Sequence, residues 1–98
     1  MYLLHGKLTA KAGHRDELAN ILIAWSKQGA SGCRLYAIGK AENEPEAVYV
    51  TEIWDSKEDH DNSLKLESVR AAIAEAMPII GEQPQKGQEL EILGGLGV

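Results

Sequence analysis

The sequence predicts an α+β fold of the split-βαβ kind, β-α-β-β-α-β, with four antiparallel strands and both helices packed on one face of the sheet. Three observations carry this. Two amphipathic helical periods alternate with four strand-like runs in that order. The strongest run, VYVTEIW from Val48 to Trp54, is rich in the β-branched and aromatic residues that suit a pleated, half-buried surface, and so reads as a central strand. It offers apolar or aromatic groups on both sides, Val48, Val50 and Trp54 on one and Tyr49 and Ile53 on the other, so two layers must cover it. The helices supply one layer, and the other face calls for a second subunit, a ligand or both.

Taken in order, Tyr2 to Leu8 (YLLHGKL) is a short apolar run consistent with a first strand, which Lys11-Ala12-Gly13 breaks. From Arg15 to Gln28 the apolar Leu18, Ile21, Leu22 and Trp25 follow helical spacing, and Asp16 and Glu17 stand in the first turn, where the macrodipole favours acids. Gly29 and Gly32 bracket a turn before strand two, Cys33 to Ile38. The polar stretch Gly39 to Glu46, with Pro45, leads into strand three. Beyond it Leu64, Leu66, Val69, Ala72, Ile73, Ala76 and Met77 form the apolar face of helix two, with a bend expected near Lys65 to Ser68 and a stop at Pro78. Glu89 to Leu93 (ELEIL) alternates as a half-exposed fourth strand should, and GGLGV trails after it.

Ninety-eight residues, 44% hydrophobic and 26% charged, are the size and composition of one ordinary globular domain spanning 1–98. No span is apolar enough to cross a membrane, and Met1 to Leu8 lacks the basic and apolar regions of a secretory signal, which predicts a cytoplasmic protein. The lone Cys33 has no partner for an internal disulfide or a CxxC motif. A net charge of −5 without a run of Lys and Arg argues against nucleic acid and anionic membrane as partners. The partner left is a small molecule or another protein.

The candidate site is the junction EIWDSKEDHDNSL, Glu52 to Leu64, where strand three runs into helix two. Ser56 stands at the N-cap, and Asp59 three positions on completes a weaker capping box. His60 then falls on the opening turn, near the positive end of the helix dipole, which favours the neutral imidazole a proton acceptor needs, while Glu58, Asp59 and Asp61 act in the opposite sense. The alternative account of His60 is a turn histidine that only hydrogen-bonds the junction. His5 reads as a core histidine of strand one and His14 as a solvated residue opening helix one. Arg34 and Arg70 are candidate holders of an anionic group or surface charges beside carboxylates. No recognised metal-ligand spacing joins His5, His60 and Cys33. GGLG precedes no helix and so is no nucleotide loop.

Several stretches resemble the antibiotic biosynthesis monooxygenase family, a branch of the dimeric α+β barrel proteins that also includes quinol monooxygenases and haem-degrading enzymes. They are KAGHRDEL (Lys11 to Leu18), GCRLY (Gly32 to Tyr36), EIWDSKEDHDNSL and VRAAIAEAMPII (Val69 to Ile80), and in order and spacing they cover nearly the whole chain. The resemblance implies ferredoxin-like subunits joined sheet to sheet as a homodimer, each with a pocket between sheet and helices. It also implies oxidation of a quinol or polycyclic phenol with O₂, without metal, flavin or haem. The haem-degrading branch uses an Asn, a Trp and a His where this chain has Leu4, Ser63 and Ile73, which argues against that activity.

Cofactor-independent oxygenation needs a base to deprotonate the phenol or quinol, because the electron-rich anion can then reduce O₂ directly. His60 is the base expected here, with Trp54, Tyr36 and Tyr49 to stack on or hydrogen-bond a flat substrate and Arg70 as a further substrate contact. The other readings are a non-catalytic dimeric module binding a small hydrophobic ligand or partner, or an isomerase on the same architecture.

Overall fold

A computed structural model describes residues 1–84 and 87–98. The order is β1 (Tyr2–Thr9), α1 (Arg15–Ser26), β2 (Cys33–Gly39), β3 (Ala47–Trp54), α2 (Lys57–Ser63), α3 (Glu67–Ala76), a 3₁₀ turn (Met77–Ile79) and β4 (Gln88–Glu91). The strands form one antiparallel sheet in the order β2-β3-β1-β4, so β3 and β1 are central, as the two-sided character of Val48 to Trp54 predicts. This is the ferredoxin-like arrangement.

Register sorts side chains onto two faces. Trp54, Glu52, Val50 and Val48 pair with Tyr2, Leu4, Gly6 and Leu8, and on the β2 side Glu52 and Val50 pair with Tyr36 and Ile38. These positions face the helices: Val48 and Val50 pack with Leu18 and Ile21 of α1, Ala76 of α3 and Ile79, with Leu8, Tyr36 and Ile38 against the same cluster. The opposite parity, Leu3, His5, Tyr49, Thr51, Ile53, Leu35 and Leu90, forms the helix-free face.

The second helical segment differs in detail from a single helix. It divides into α2 and α3 at Leu64 to Leu66, overlapping the start of the Lys65 to Ser68 stretch where a bend is expected. Short-range bonds from the Leu64, Lys65 and Leu66 amides to the carbonyls of Asp61, Asn62 and Ser63 tighten the end of α2, and Leu66 then takes an extended conformation that opens α3. The Ser63 hydroxyl donates to the His60 carbonyl, which helps terminate α2. β4 also ends earlier than Leu93. Its partner β1 begins at Tyr2, which pairs with Glu91, so the ladder runs out, and the Ile92 amide makes a last bond to the Met1 carbonyl.

Candidate active site

The turn from β3 into α2 is fixed by three local devices. The Ser56 side chain caps α2 by accepting the Asp59 amide at 3.1 Å. The reciprocal bond differs from a capping box, since the Ser56 hydroxyl, not its amide, donates to the Asp59 carboxylate at 3.1 Å. Gly32 lies against the same turn: its φ is +84°, a Cβ there would come within 2.6 Å of the Asp59 carboxyl, and its carbonyl accepts the Asp55 amide at 2.8 Å. The start of β2 and the start of α2 are thereby locked together, and His60 is carried back over the end of β3.

His60 packs between two rings. Its imidazole meets Trp54 edge to face, centroids 5.6 Å apart at 80°, and lies 5.6 Å from Tyr2 at 47°. Its Nδ1 is 3.1 Å from an Asp61 carboxylate oxygen. A proton on Nδ1 donated to that oxygen leaves Nε2 as the ring's acceptor, the state a general base requires. The Tyr2 hydroxyl donates to Glu89 at 2.9 Å, and burial first, then this bond, push its phenol up to about 12.

His60 lines a cavity of about 240 Å³ between the sheet and the helices. Trp54 and Tyr36 form its sheet wall, Trp25 of α1 and Val69, Ala72 and Ala76 of α3 the helical walls. Trp25 and Tyr36 meet edge to face with centroids 4.8 Å apart. Burial, and next the charge of Glu52, hold the Tyr36 phenol well above its ordinary value, so it stays neutral. Leu64, Ile73 and Met77 sit at the cavity with about half their surface exposed, giving it an apolar rim. Such a concave, aromatic-walled space with few polar groups suits a flat apolar molecule.

Of the residues expected to form the site, His60, Trp54 and Tyr36 come together on this cavity. Tyr49 and Arg70 do not line it. Tyr49 is on the helix-free face, stacked 5.8 Å from His5 and donating to Glu44, because its parity along β3 is opposite to that of Trp54. Arg70 is exposed, one position past the buried Val69 on α3. His5 bonds Thr51 on the helix-free face, His14 bonds Glu17 at the start of α1, and Arg34 pairs with Asp55.

One residue of the cavity was given no role by its sequence context. Glu52 lines the wall, half-buried, and its Oε1 accepts the Trp54 indole N–H at 3.0 Å. Burial raises its carboxyl above the ordinary value, opposed by the Trp54 bond and by charge on His60. The signal was available: even-numbered positions of β3 face the helices, and a carboxylate among Val48, Val50 and Trp54 is a buried polar group that needs a reason.

A ferredoxin-like sheet thus carries, between it and its helices, an apolar cavity lined by one histidine and one half-buried carboxyl. The sequence profile of the antibiotic biosynthesis monooxygenases matches residues 1–75, and the chain belongs to that family. It is similar to the crystal structure of a candidate antibiotic biosynthesis monooxygenase from Chloroflexus aurantiacus J-10-fl, with 38% identity and a TM-score of 0.90 over 98% of this chain and 96% of that one. A second candidate of the same description, from Deinococcus radiodurans, shares 25% identity with a TM-score of 0.82 over 100% and 98% of the two chains. A third, from Nitrosomonas europaea, is 14% identical with a TM-score of 0.86 over 96% and 100%, a likeness of fold alone. No curated protein matches the sequence.

Proposed function

We propose that this family member is a cofactor-independent monooxygenase that oxidises a quinol or polycyclic phenol with O₂ in the cavity between Trp54 and Trp25. The observation that carries the reading is His60, an imidazole packed on Trp54 at the wall of an otherwise apolar space. His60 takes the proton of a substrate hydroxyl. The resulting anion passes an electron to O₂, the two radicals combine at a ring carbon, and loss of water leaves the oxidised ring. For a quinol the balance is quinol plus O₂ giving hydroxyquinone plus water, with all four electrons drawn from the substrate.

The protein's contribution is deprotonation and exclusion of water. The apolar walls keep the anion poorly solvated and hence a strong reductant, and a positioned base supplies about 10²- to 10⁴-fold in rate. The working form is proposed to be a homodimer joined through the helix-free face, which presents Leu3, Leu35 and Leu90.

Oxygen uptake by metal-stripped protein with a panel of naphthalene- and anthracene-derived quinols and phenols tests the reaction. Uptake above the autoxidation rate, with one oxygen atom from ¹⁸O₂ in the product, is the expected result. Ligand binding without uptake across the panel replaces the enzyme with a binding module.

A further inference from the structure

Two residues lining this cavity keep hydrogen-bonding capacity that no partner among the described residues uses. Glu52 has one carboxyl oxygen engaged by the Trp54 indole N–H, while no donor among the described residues meets the other. The indole N–H of Trp25, whose side chain is also part of the wall and 7% exposed, is buried without an acceptor among the described residues. Buried polar groups are almost always hydrogen-bonded, and an unpaired one is costly. The free oxygen of Glu52 can take a hydrogen bond only from a ligand that offers it a donor.

We propose that Glu52 is the specificity-determining residue of the cavity, selecting an uncharged aromatic hydroxyl compound by accepting the hydroxyl proton in a hydrogen bond and rejecting anionic and O-alkylated analogues. The inference rests on the reading that this cavity binds the substrate, and it narrows the substrate to neutral molecules with a free ring hydroxyl.

Geometry makes the choice sharp. The Trp54 N–H fixes Glu52 from its own strand, so the carboxyl cannot swing away from a poor ligand without giving up that bond. An ionised carboxyl only accepts, so an ether oxygen in place of the hydroxyl puts two acceptors against each other. A carboxylate or phosphate ester on the ligand adds like-charge repulsion in a poorly hydrated space, in a chain whose net charge is already −5. The charged and titratable groups facing Glu52 are His60 from α2, Tyr36 and Cys33 from β2 and Tyr2 from β1. No Lys or Arg lines the cavity among the described residues, so nothing there compensates an anion except a protonated His60.

The test is calorimetric binding of 1-naphthol, 1-methoxynaphthalene and 1-naphthoate to the full chain at pH 8, anaerobically, for the parent and Glu52→Gln. The parent is expected to bind 1-naphthol about tenfold or more tightly than either analogue, the factor a hydrogen bond to a charged group supplies. In Glu52→Gln the amide oxygen keeps the Trp54 bond and turns its NH₂ donor toward the ligand. The preference for the hydroxyl then collapses to about threefold or less, mainly because the ether and naphthoate bind better. Equal parent affinities for 1-naphthol and its methyl ether would overturn the role of Glu52 and leave the oxygenase reading untouched. So would an undiminished hydroxyl preference in Glu52→Gln. Failure of all three compounds to bind the parent removes the cavity as an aromatic site and overturns both readings. Hydroxyl-selective binding, together with no oxygen uptake across the quinol and phenol panel in air, supports Glu52 and rejects the enzyme.

Discussion

The imidazole of His60 stands edge to face against the indole of Trp54 with centroids 5.6 Å apart, although a strand end, a turn and a helix cap separate them in sequence. The contact joins two jobs in one place. Trp54, 1% exposed, is the inner end of β3 and part of the core, while His60, with 15% of its side chain exposed, is the member of the pair that a ligand can reach.

That division sets the first prediction. His60→Ala leaves the Ser56 cap and the aromatic wall in place and removes the proton acceptor. With the quinol that supports oxygen uptake by the parent, kcat should fall about 10²- to 10⁴-fold while KM changes little. Steady-state oxygen-electrode kinetics at saturating substrate read this directly. A variant that folds and turns over at the parent rate takes His60 out of the mechanism.

Trp54→Ala should instead show itself in stability. Its indole is fully enclosed and its N–H is the donor to Glu52, so truncation leaves a large void and an unpaired carboxyl. The expected loss is about 3–5 kcal/mol in urea-induced unfolding. A loss below about 1 kcal/mol would mean that the site collapses around the smaller residue, and that Trp54 does not anchor the wall.

Much of this was legible beforehand because the strongest local signals and the global fold agree. The β-branched run of β3, the cap at Ser56 and the helical period of α1 each specify an element without help from the rest of the chain. The site was only partly legible. His60 and Trp54 lie within one continuous stretch, whereas Trp25 reaches the cavity only because α1 packs over the sheet beside Tyr36. Tyr49 belongs with the aromatic wall by residue type alone, but the period of two that puts Val48, Val50 and Trp54 on the helix side puts Tyr49 on the other. Arg70 was grouped by charge, and a single helical step from Val69 carries it into solvent. Glu52 is the converse case, a residue that its parity along β3 places at the cavity although its type alone suggests a solvated carboxylate.

Gly32 gives a prediction about how the junction is held. Alanine there must adopt φ near +84° and bring its Cβ within 2.7 Å of the Asp59 Cβ, as well as against the carboxyl. Backbone strain of this kind costs about 1–3 kcal/mol, and the displacement of Asp59 disturbs the α2 cap as well. Chemical denaturation of Gly32→Ala should show a loss in that range or above it. Gly39→Ala, at a site with nothing within 4 Å and no positive φ, is the control expected to cost less.

The helix-free face predicts assembly. Leu35 and Leu90 are 42% and 49% exposed there, beside the half-buried Leu3, and a second copy of the same sheet would bury all three. Light scattering at micromolar concentration should report twice the 10.7 kDa subunit mass. Leu35→Glu, which sets like charges against each other across such a pairing, should shift the mass toward the monomer. A monomeric parent at tens of micromolar would reject sheet-to-sheet pairing.

The last prediction concerns Glu52 and pH. Its carboxyl is raised above the ordinary 4.5 in the folded protein, first by burial, so folding favours the protonated form. The sign follows from linkage: where the folded value exceeds the unfolded one, the folded state binds more protons between the two, and stability falls as pH rises through that window. The stabilising contribution is complete below 4.5 and is lost as pH climbs past the folded value. Glu52→Gln retains the acceptor for Trp54 and never ionises. Its thermal midpoint should therefore exceed the parent's at pH 7, and the excess should shrink to nothing as pH is lowered to 4. Paired melting curves from pH 4 to 8 measure the difference, so titrations common to both proteins cancel. A parent more stable than the variant at pH 7 would show that the Trp54 N–H and a charged His60 outweigh burial, making Glu52 a stabilised carboxylate instead of a strained one.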